Sequence, residues 1–312
     1  MQFPGYPANP QRFQVRPGIS MSYLDEGPRD GEVVVMLHGN PSWSYYWRTL
    51  VAGLSDPASG KGYRCIVPDH VGMGLSDKPD DGADALPRYD YTLQSRVEDL
   101  SALLEHLGID GPVTLAVHDW GGMIGFGWAL SHQTQVQRLV ILNTAAFPMP
   151  GAKDMPWQIA LGRDYTVGEL VIRGFNAFSS GASWLGVQRR MPAEVRRAYV
   201  APYDSWKNRI STIRFMQDIP LSPRDRAWPL LEESGRRLHE YAGLPVFIGW
   251  GLKDFVFDRH FLERFQAELP RAEVMAFDDA GHYVLEDKHE VLVPAIRAFL
   301  DRHPLPPLQE QL

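Results

Sequence analysis

Asp119 stands in Val117-His118-Asp119-Trp120-Gly121-Gly122, between an apolar run and a helical pattern expected to begin near Met123. A strand-turn-helix context of this kind makes an elbow, a strained turn that lifts one side chain above a sheet. The glycines let the turn close and let the following helix approach the sheet. Serine commonly holds the centre of such an elbow; a carboxylate there can attack carbon and form a covalent ester. An isolated Asp before a helix would read as well as an N-cap. The positions that accompany Asp119 match a reaction centre as a set.

Two motifs supply donors. Leu37-His38-Gly39-Asn40-Pro41 follows another apolar run, where one backbone N–H of an oxyanion hole belongs; the second comes from the residue after the elbow, Trp120. The Asn40 amide and the Trp120 indole add side-chain donors expected to point at the same spot, and fixed dipoles there stabilise developing negative charge. Taken singly, Asn40 could serve only its turn and Trp120 only the core. His282, in the run Asp278 to Tyr283, follows the last apolar run, where a base belongs. Asp254 follows the run before it, where an acid would orient that base and stabilise its imidazolium form. Asp258 competes with Asp254 but lies one helical turn further on, and Asn143, at the other place for such an acid, is an amide. His38 and His118 flank the site and are expected to be structural hydrogen-bonders. The histidines at 70, 106, 132, 239, 260, 289 and 303 are expected in solvent or core.

These residues need a sheet to hold them. Short apolar runs recur at Val33 to Leu37, Arg64 to Val67, Val113 to Val117, Arg138 to Leu142, Val246 to Trp250 and Glu273 to Phe277. Unalternated runs suit strands buried on both faces of a parallel sheet. Between them lie helical patterns, clearest at Leu93, Val97, Leu100, Leu104 and Leu107, spaced three or four apart. The alternation implies an α/β architecture with a mostly parallel sheet. It breaks from about Phe147 to Trp228, a stretch rich in Trp, Phe, Arg and Tyr with helical runs such as Ala193 to Val200 and flanking prolines. That stretch is expected to be a helical cap over the sheet. The expected division is core at 1–147, cap at 148–228 and core again at 229–312.

Composition narrows the function. The chain of 312 residues carries a formal net charge of -7, which disfavours a nucleic-acid partner. Its single cysteine, Cys65, precludes an intramolecular disulfide and lies in an apolar run, where a buried inert thiol is expected. The sequence holds no His-Glu-x-x-His, no paired His-Cys spacing and no phosphate-binding Gly loop, so no metal or cofactor is expected. Neither a signal peptide nor an apolar stretch of roughly 20 residues is visible, so a cytoplasmic protein with no integral membrane anchor is expected.

With these pieces assembled, the sequence resembles the haloalkane dehalogenases, through His38-Gly39-Asn40-Pro41, His118-Asp119-Trp120-Gly121-Gly122, Asp254 and Gly281-His282. It looks most like their third subfamily and is especially similar to the β-lactone decarboxylases of bacterial long-chain olefin biosynthesis. The stretches that carry the narrower likeness are Gly18 to Pro28, Phe178 to Val187, Tyr203 to Pro220 and Ala276 to His289. The resemblance implies an α/β-hydrolase fold with a helical cap inserted after the sixth core strand. It implies Asp119, His282 and Asp254 as triad, and Asn40 with Trp120 as the pair that binds the leaving anion. It also implies a hydrophobic small-molecule substrate, and assembly with a β-lactone synthetase or thiolase.

Two chemistries follow from that apparatus: displacement of halide from an alkyl chain with later hydrolysis of the ester, or opening and decarboxylation of a cis β-lactone. Trp157, Phe175, Phe178, Trp184, Trp206, Phe215 and Met216 could line an alkyl tunnel, or simply pack the cap on the core. An epoxide hydrolase would share the Asp elbow but use cap tyrosines, for which Tyr165, Tyr199 and Tyr203 are available. A non-catalytic ligand receptor on the same fold is the remaining alternative. The complete set of Asp119, His282 and Asp254 speaks against it.

Overall fold

The computed structural model describes residues 2–7, 9–56, 60–151, 156, 160, 163 and 166–306, with the side chains of 166 and 167 left aside. Strands β1 (Gln11–Arg16), β2 (Ile19–Glu26), β3 (Val33–Leu37) and β4 (Arg64–Pro68) open the chain, with α1 (Arg48–Ser55) between the last two. Helix α2 (Leu93–His106), β5 (Val113–Asp119), α3 (Trp120–Ala129) and β6 (Val136–Thr144) follow. All eight strands, completed by β7 (Val246–Gly251) and β8 (Glu273–Phe277), form one sheet in the order β1-β2-β4-β3-β5-β6-β7-β8. Every pairing from β4 to β8 across the sheet is parallel; β1 with β2 and β2 with β4 are antiparallel.

The apolar runs become the central strands because each side is covered. All seven residues of β5 are buried, and α3, which packs against it, is buried along its whole length. Helix α2 starts at Thr92, whose hydroxyl accepts from the Ser95 N–H, and turns Leu93, Val97, Leu100 and Leu104 inward. One expectation needs correction: β8 is an edge strand with partly exposed residues, not a strand buried on both faces. Strands β1 and β2 lie outside the six apolar runs. β1 is largely exposed, and β2 interleaves Ser and acidic residues with its apolar ones.

From β3 the chain steps to β4 on one side, whereas β5 lies on the other. The crevice at the carboxyl ends of β3 and β5 is therefore a topological switch point, where open α/β sheets bind ligands. Between β6 and β7 the described residues are helical and add no strand. They form α4 (Thr166–Glu169), which runs into a π-helical turn (Leu170–Gly174), then α5 (Ala177–Leu185), α6 (Ala193–Val200), α7 (Ile210–Gln217) and α8 (Trp228–Arg237). Helix α9 (Arg259–Glu268) lies between β7 and β8, and α10 (Val284–Arg302) follows β8. Among the described residues no helix is long and apolar enough to cross a membrane.

Candidate active site

Asp119 closes β5 and α3 begins at the next residue, three positions earlier than Met123. Its backbone has φ of 53° and ψ of -128°, a conformation that L-residues rarely adopt. Two hydrogen bonds hold it there. The Thr144 hydroxyl at the end of β6 donates to the Asp119 carbonyl at 2.5 Å. The Asn40 backbone N–H donates to the Asp119 carboxylate at 2.6 Å. A Cβ on Gly121 would stand 2.0 Å from the Leu37 carbonyl, so glycine lets the helix start directly under β3. At Gly39 a Cβ would fall 1.8 Å from the Asp119 carboxylate, so only glycine admits the donor loop to this distance.

His282 Nδ1 lies 2.8 Å from Asp254 Oδ2, and its Nε2 lies 3.5 Å from the second Asp119 oxygen. Nδ1–H therefore faces Asp254, which leaves Nε2 toward Asp119. Asp254 is fixed in turn by the Val256 N–H at 2.7 Å and the Asn143 amide at 3.0 Å. The same Asn143 side chain donates to the Gly251 carbonyl and accepts from the Gly251 N–H, so it clasps the end of β6 to the end of β7. Asp258 caps α9 through the His260 N–H instead.

Burial governs the charges. It pushes the Asp119 carboxyl up to about 6, against the pull of His282 and the N–H groups of Trp120 and Asn40, while Asp254 adds to the rise. Burial also opposes protonation of His282, but Asp254, reinforced by Asp119, outweighs it and holds the imidazole above its usual range. His118 bonds through Nε2 to the His282 carbonyl at 2.9 Å, and His38 accepts from the His70 N–H at 3.2 Å. Burial depresses the pKa of His38, His70 and His118, which leaves them neutral. Cys65 is buried and its thiol is pushed up to about 12 by that burial.

A cavity of about 350 Å³ opens over Asp119. Among the described residues its polar side chains are Asp119, Asn40, His282 and the indole of Trp120; the other described residues of its wall are apolar or glycine. The Asn40 amide is less free than its motif suggests. One N–H is committed to the Thr212 carbonyl on α7 at 2.9 Å, which ties cap to core and leaves the second proton as the available donor. Of the seven aromatic and Met candidates for the wall, Phe178 and Met216 line it. Trp157 lies outside the described residues; Phe175, Trp184 and Trp206 are exposed, and Phe215 packs beneath Trp120. The wall also takes Phe255, Val256, Phe257 and Phe261 from the segment after Asp254, for which the sequence carried only an apolar cluster as signal.

The tyrosines considered for epoxide activation are engaged elsewhere. Tyr199 donates to Glu286 at 2.5 Å, and Tyr203 contacts the Ser42 carbonyl and the Gly74 N–H; neither lines the cavity. Tyr165 lies outside the described residues.

Comparison with known proteins is consistent along the chain. The family model described as alpha/beta hydrolase fold matches residues 32–289. A cis-3-alkyl-4-alkyloxetan-2-one decarboxylase from Xanthomonas campestris is 75% identical over 98% of this chain and 100% of its own. A haloalkane dehalogenase from Mycolicibacterium paratuberculosis is 31% identical over 89% of this chain and 86% of its own. The crystal structure of a haloalkane dehalogenase from Bradyrhizobium elkani superimposes with a TM-score of 0.80 at 25% identity, covering 94% of this chain and 98% of that one.

Proposed function

The chain belongs to the α/β-hydrolase fold family, among the haloalkane dehalogenases and the cis-3-alkyl-4-alkyloxetan-2-one decarboxylases, and we propose that it converts cis-3,4-dialkyl β-lactones to cis-alkenes and carbon dioxide. The observation that carries this reading is one buried carboxylate, Asp119, at the polar end of an otherwise apolar cavity, with His282, Asn40 and Trp120 around it.

The ionised Asp119 attacks the ring carbon that bears the lactone oxygen, with inversion. That bond forms as the ring C–O bond breaks, and the released carboxylate is received by the Asn40 and Trp120 donors. The bond between the carboxylate carbon and the neighbouring ring carbon then breaks. Its electron pair forms the double bond while Asp119 departs anti, as a carboxylate again. One inversion followed by an anti elimination preserves the cis relation of the alkyl chains.

Asp254 and His282 complete the triad. No water enters this sequence, so His282 need not act as a base. An imidazolium held by two carboxylates suits it, because it offsets the charge of Asp119 each time that group is released. Hydrolysis of an alkyl ester would instead need neutral His282 to take a proton from water. The dehalogenase reading shares every group and is the second reading, favoured by the Asn40 and Trp120 donors beside Asp119.

Gas chromatography after incubation with a cis-3,4-dialkyl β-lactone, and separately with a 1-bromoalkane, tests the assignment. A cis-alkene at a catalytic rate with slow or single-turnover bromide release is expected. Multiple-turnover bromide release with an untouched lactone would make the protein a dehalogenase. Asp119→Ala with full turnover would remove the mechanism altogether.

A further inference from the structure

Neutral donors alone receive the leaving anion at Asn40 and Trp120, yet a cation lies buried behind them. Arg96, on α2, is 1% exposed. Its guanidinium carbon sits 3.5 Å from the centre of the Phe215 ring and 5.8 Å from that of Trp120. Phe215 meets Trp120 edge to face, with ring centres 5.1 Å apart, so charge, ring and indole form one continuous chain of contacts. The guanidinium is incompletely neutralised by contact. Its nearest carboxylate, Asp218, approaches one nitrogen at 3.5 Å and takes a shorter bond, 2.6 Å, from the Leu93 N–H. Two other guanidinium nitrogens, Nε and Nη2, are buried with no hydrogen-bond partner among the described residues.

A helix built only for stability gains little from this arrangement. A buried Arg with two idle donors and one long ion pair is costly, and an apolar side chain of similar volume would pack as well. Its effect on the cavity is different. A fixed positive charge in a water-poor region acts over several ångströms without reorganising, and an anion formed at the indole feels it.

We propose that Arg96 is a positioning residue for the reaction, whose buried charge, transmitted across Phe215 and Trp120, sets the affinity of the Asn40–Trp120 pair for a leaving anion, with Asp218 moderating it. The proposal rests on the reading that this pair receives the anion.

Bromide titration of the protein's tryptophan fluorescence tests it without any turnover. Arg96→Met removes the positive charge and is expected to weaken bromide binding about tenfold. Asp218→Asn removes the moderating negative charge and is expected to tighten it several-fold. Arg96→Lys, which keeps the charge, should stay within about threefold of the parent. Opposite shifts from the two neutralising variants support the proposal, because an ion pair that merely supports the fold would weaken binding, or leave it alone, in both. Equal bromide affinity in folded Arg96→Met protein, or shifts of the same sign in the two variants, would overturn it. Should Arg96→Met fail to fold, Asp218→Asn alone decides: binding no tighter than the parent's overturns the proposal. Since bromide binding needs no lactone, opposite shifts in a protein inert toward lactones would sink the decarboxylase reading and leave this one standing.

Discussion

At the scale of single residues the decisive tension is that Asp119 must be both buried and charged. Its carboxyl, raised to about 6, is ionised at neutral pH but only by a small margin. A protonated carboxyl cannot attack carbon, so kcat/KM for a lactone should fall about tenfold per unit as pH drops below about 6. Measuring initial rates from pH 4.5 to 8 checks this; a flat profile would contradict it. The same shift bears on stability. The folded-state pKa lies above the unfolded value of about 3.9, so ionisation penalises the folded state. The penalty is absent below about pH 4 and grows until pH passes the folded value. Asp119→Asn should therefore be inactive yet more stable than the parent, by on the order of 1–3 kcal/mol at pH 8 and by nothing near pH 4. Urea unfolding at the two pH values measures it. That Asp119, His282 and Asp254 would meet was legible in the sequence because each follows an apolar run with glycine nearby. Asn143 was legible only as an amide where an acid could stand; its clasp on Gly251 and Asp254 depends on how closely β6 and β7 approach. Arg96 went unread, although it stands three residues after Leu93 and four before Leu100, on the apolar stripe of that helical pattern.

Elements decide how near those residues come. The loop after β3 reaches Asp119 only because residue 39 has no side chain. Gly39→Ala should push the loop away, cost ~2 kcal/mol or more, and lower lactone turnover at least a hundredfold. Thermal melting and kinetics on the same preparation would show it, and a variant with parental activity would refute the account of the loop. On α5, Gly181 borders the cavity, and among the described residues nothing lies within 4 Å of where its side chain would project. Gly181→Leu should cut activity on long-chain lactones several-fold more than on short ones, read as the ratio of kcat/KM between the two. The central strands could be located from hydrophobic runs, whereas β1 and β2 could not: an exposed edge strand lacks the apolar signature, and Ser and acidic residues dilute it in its neighbour. In the cap, composition showed that aromatic residues were present but not which way they faced. Helical phase and packing settle that, so Phe178 turned inward while Phe175 and Trp184 remained exposed.

For the molecule as a whole, the sheet order brings β3 and β5 together at the switch point, and the helices between β6 and β7 lie over the result. Among the described residues the polar groups of the cavity are gathered at one end, and the wall residues beyond it are hydrocarbon or glycine. A wall of that kind reads neither pattern nor functional group; beyond the ring it responds only to length and girth. The protein is therefore a poor judge of identity among homologous chains that fit. On the proposed function, a mixture of such lactones should pass through in nearly the proportions supplied, so the alkenes formed mirror the lactones that arrive.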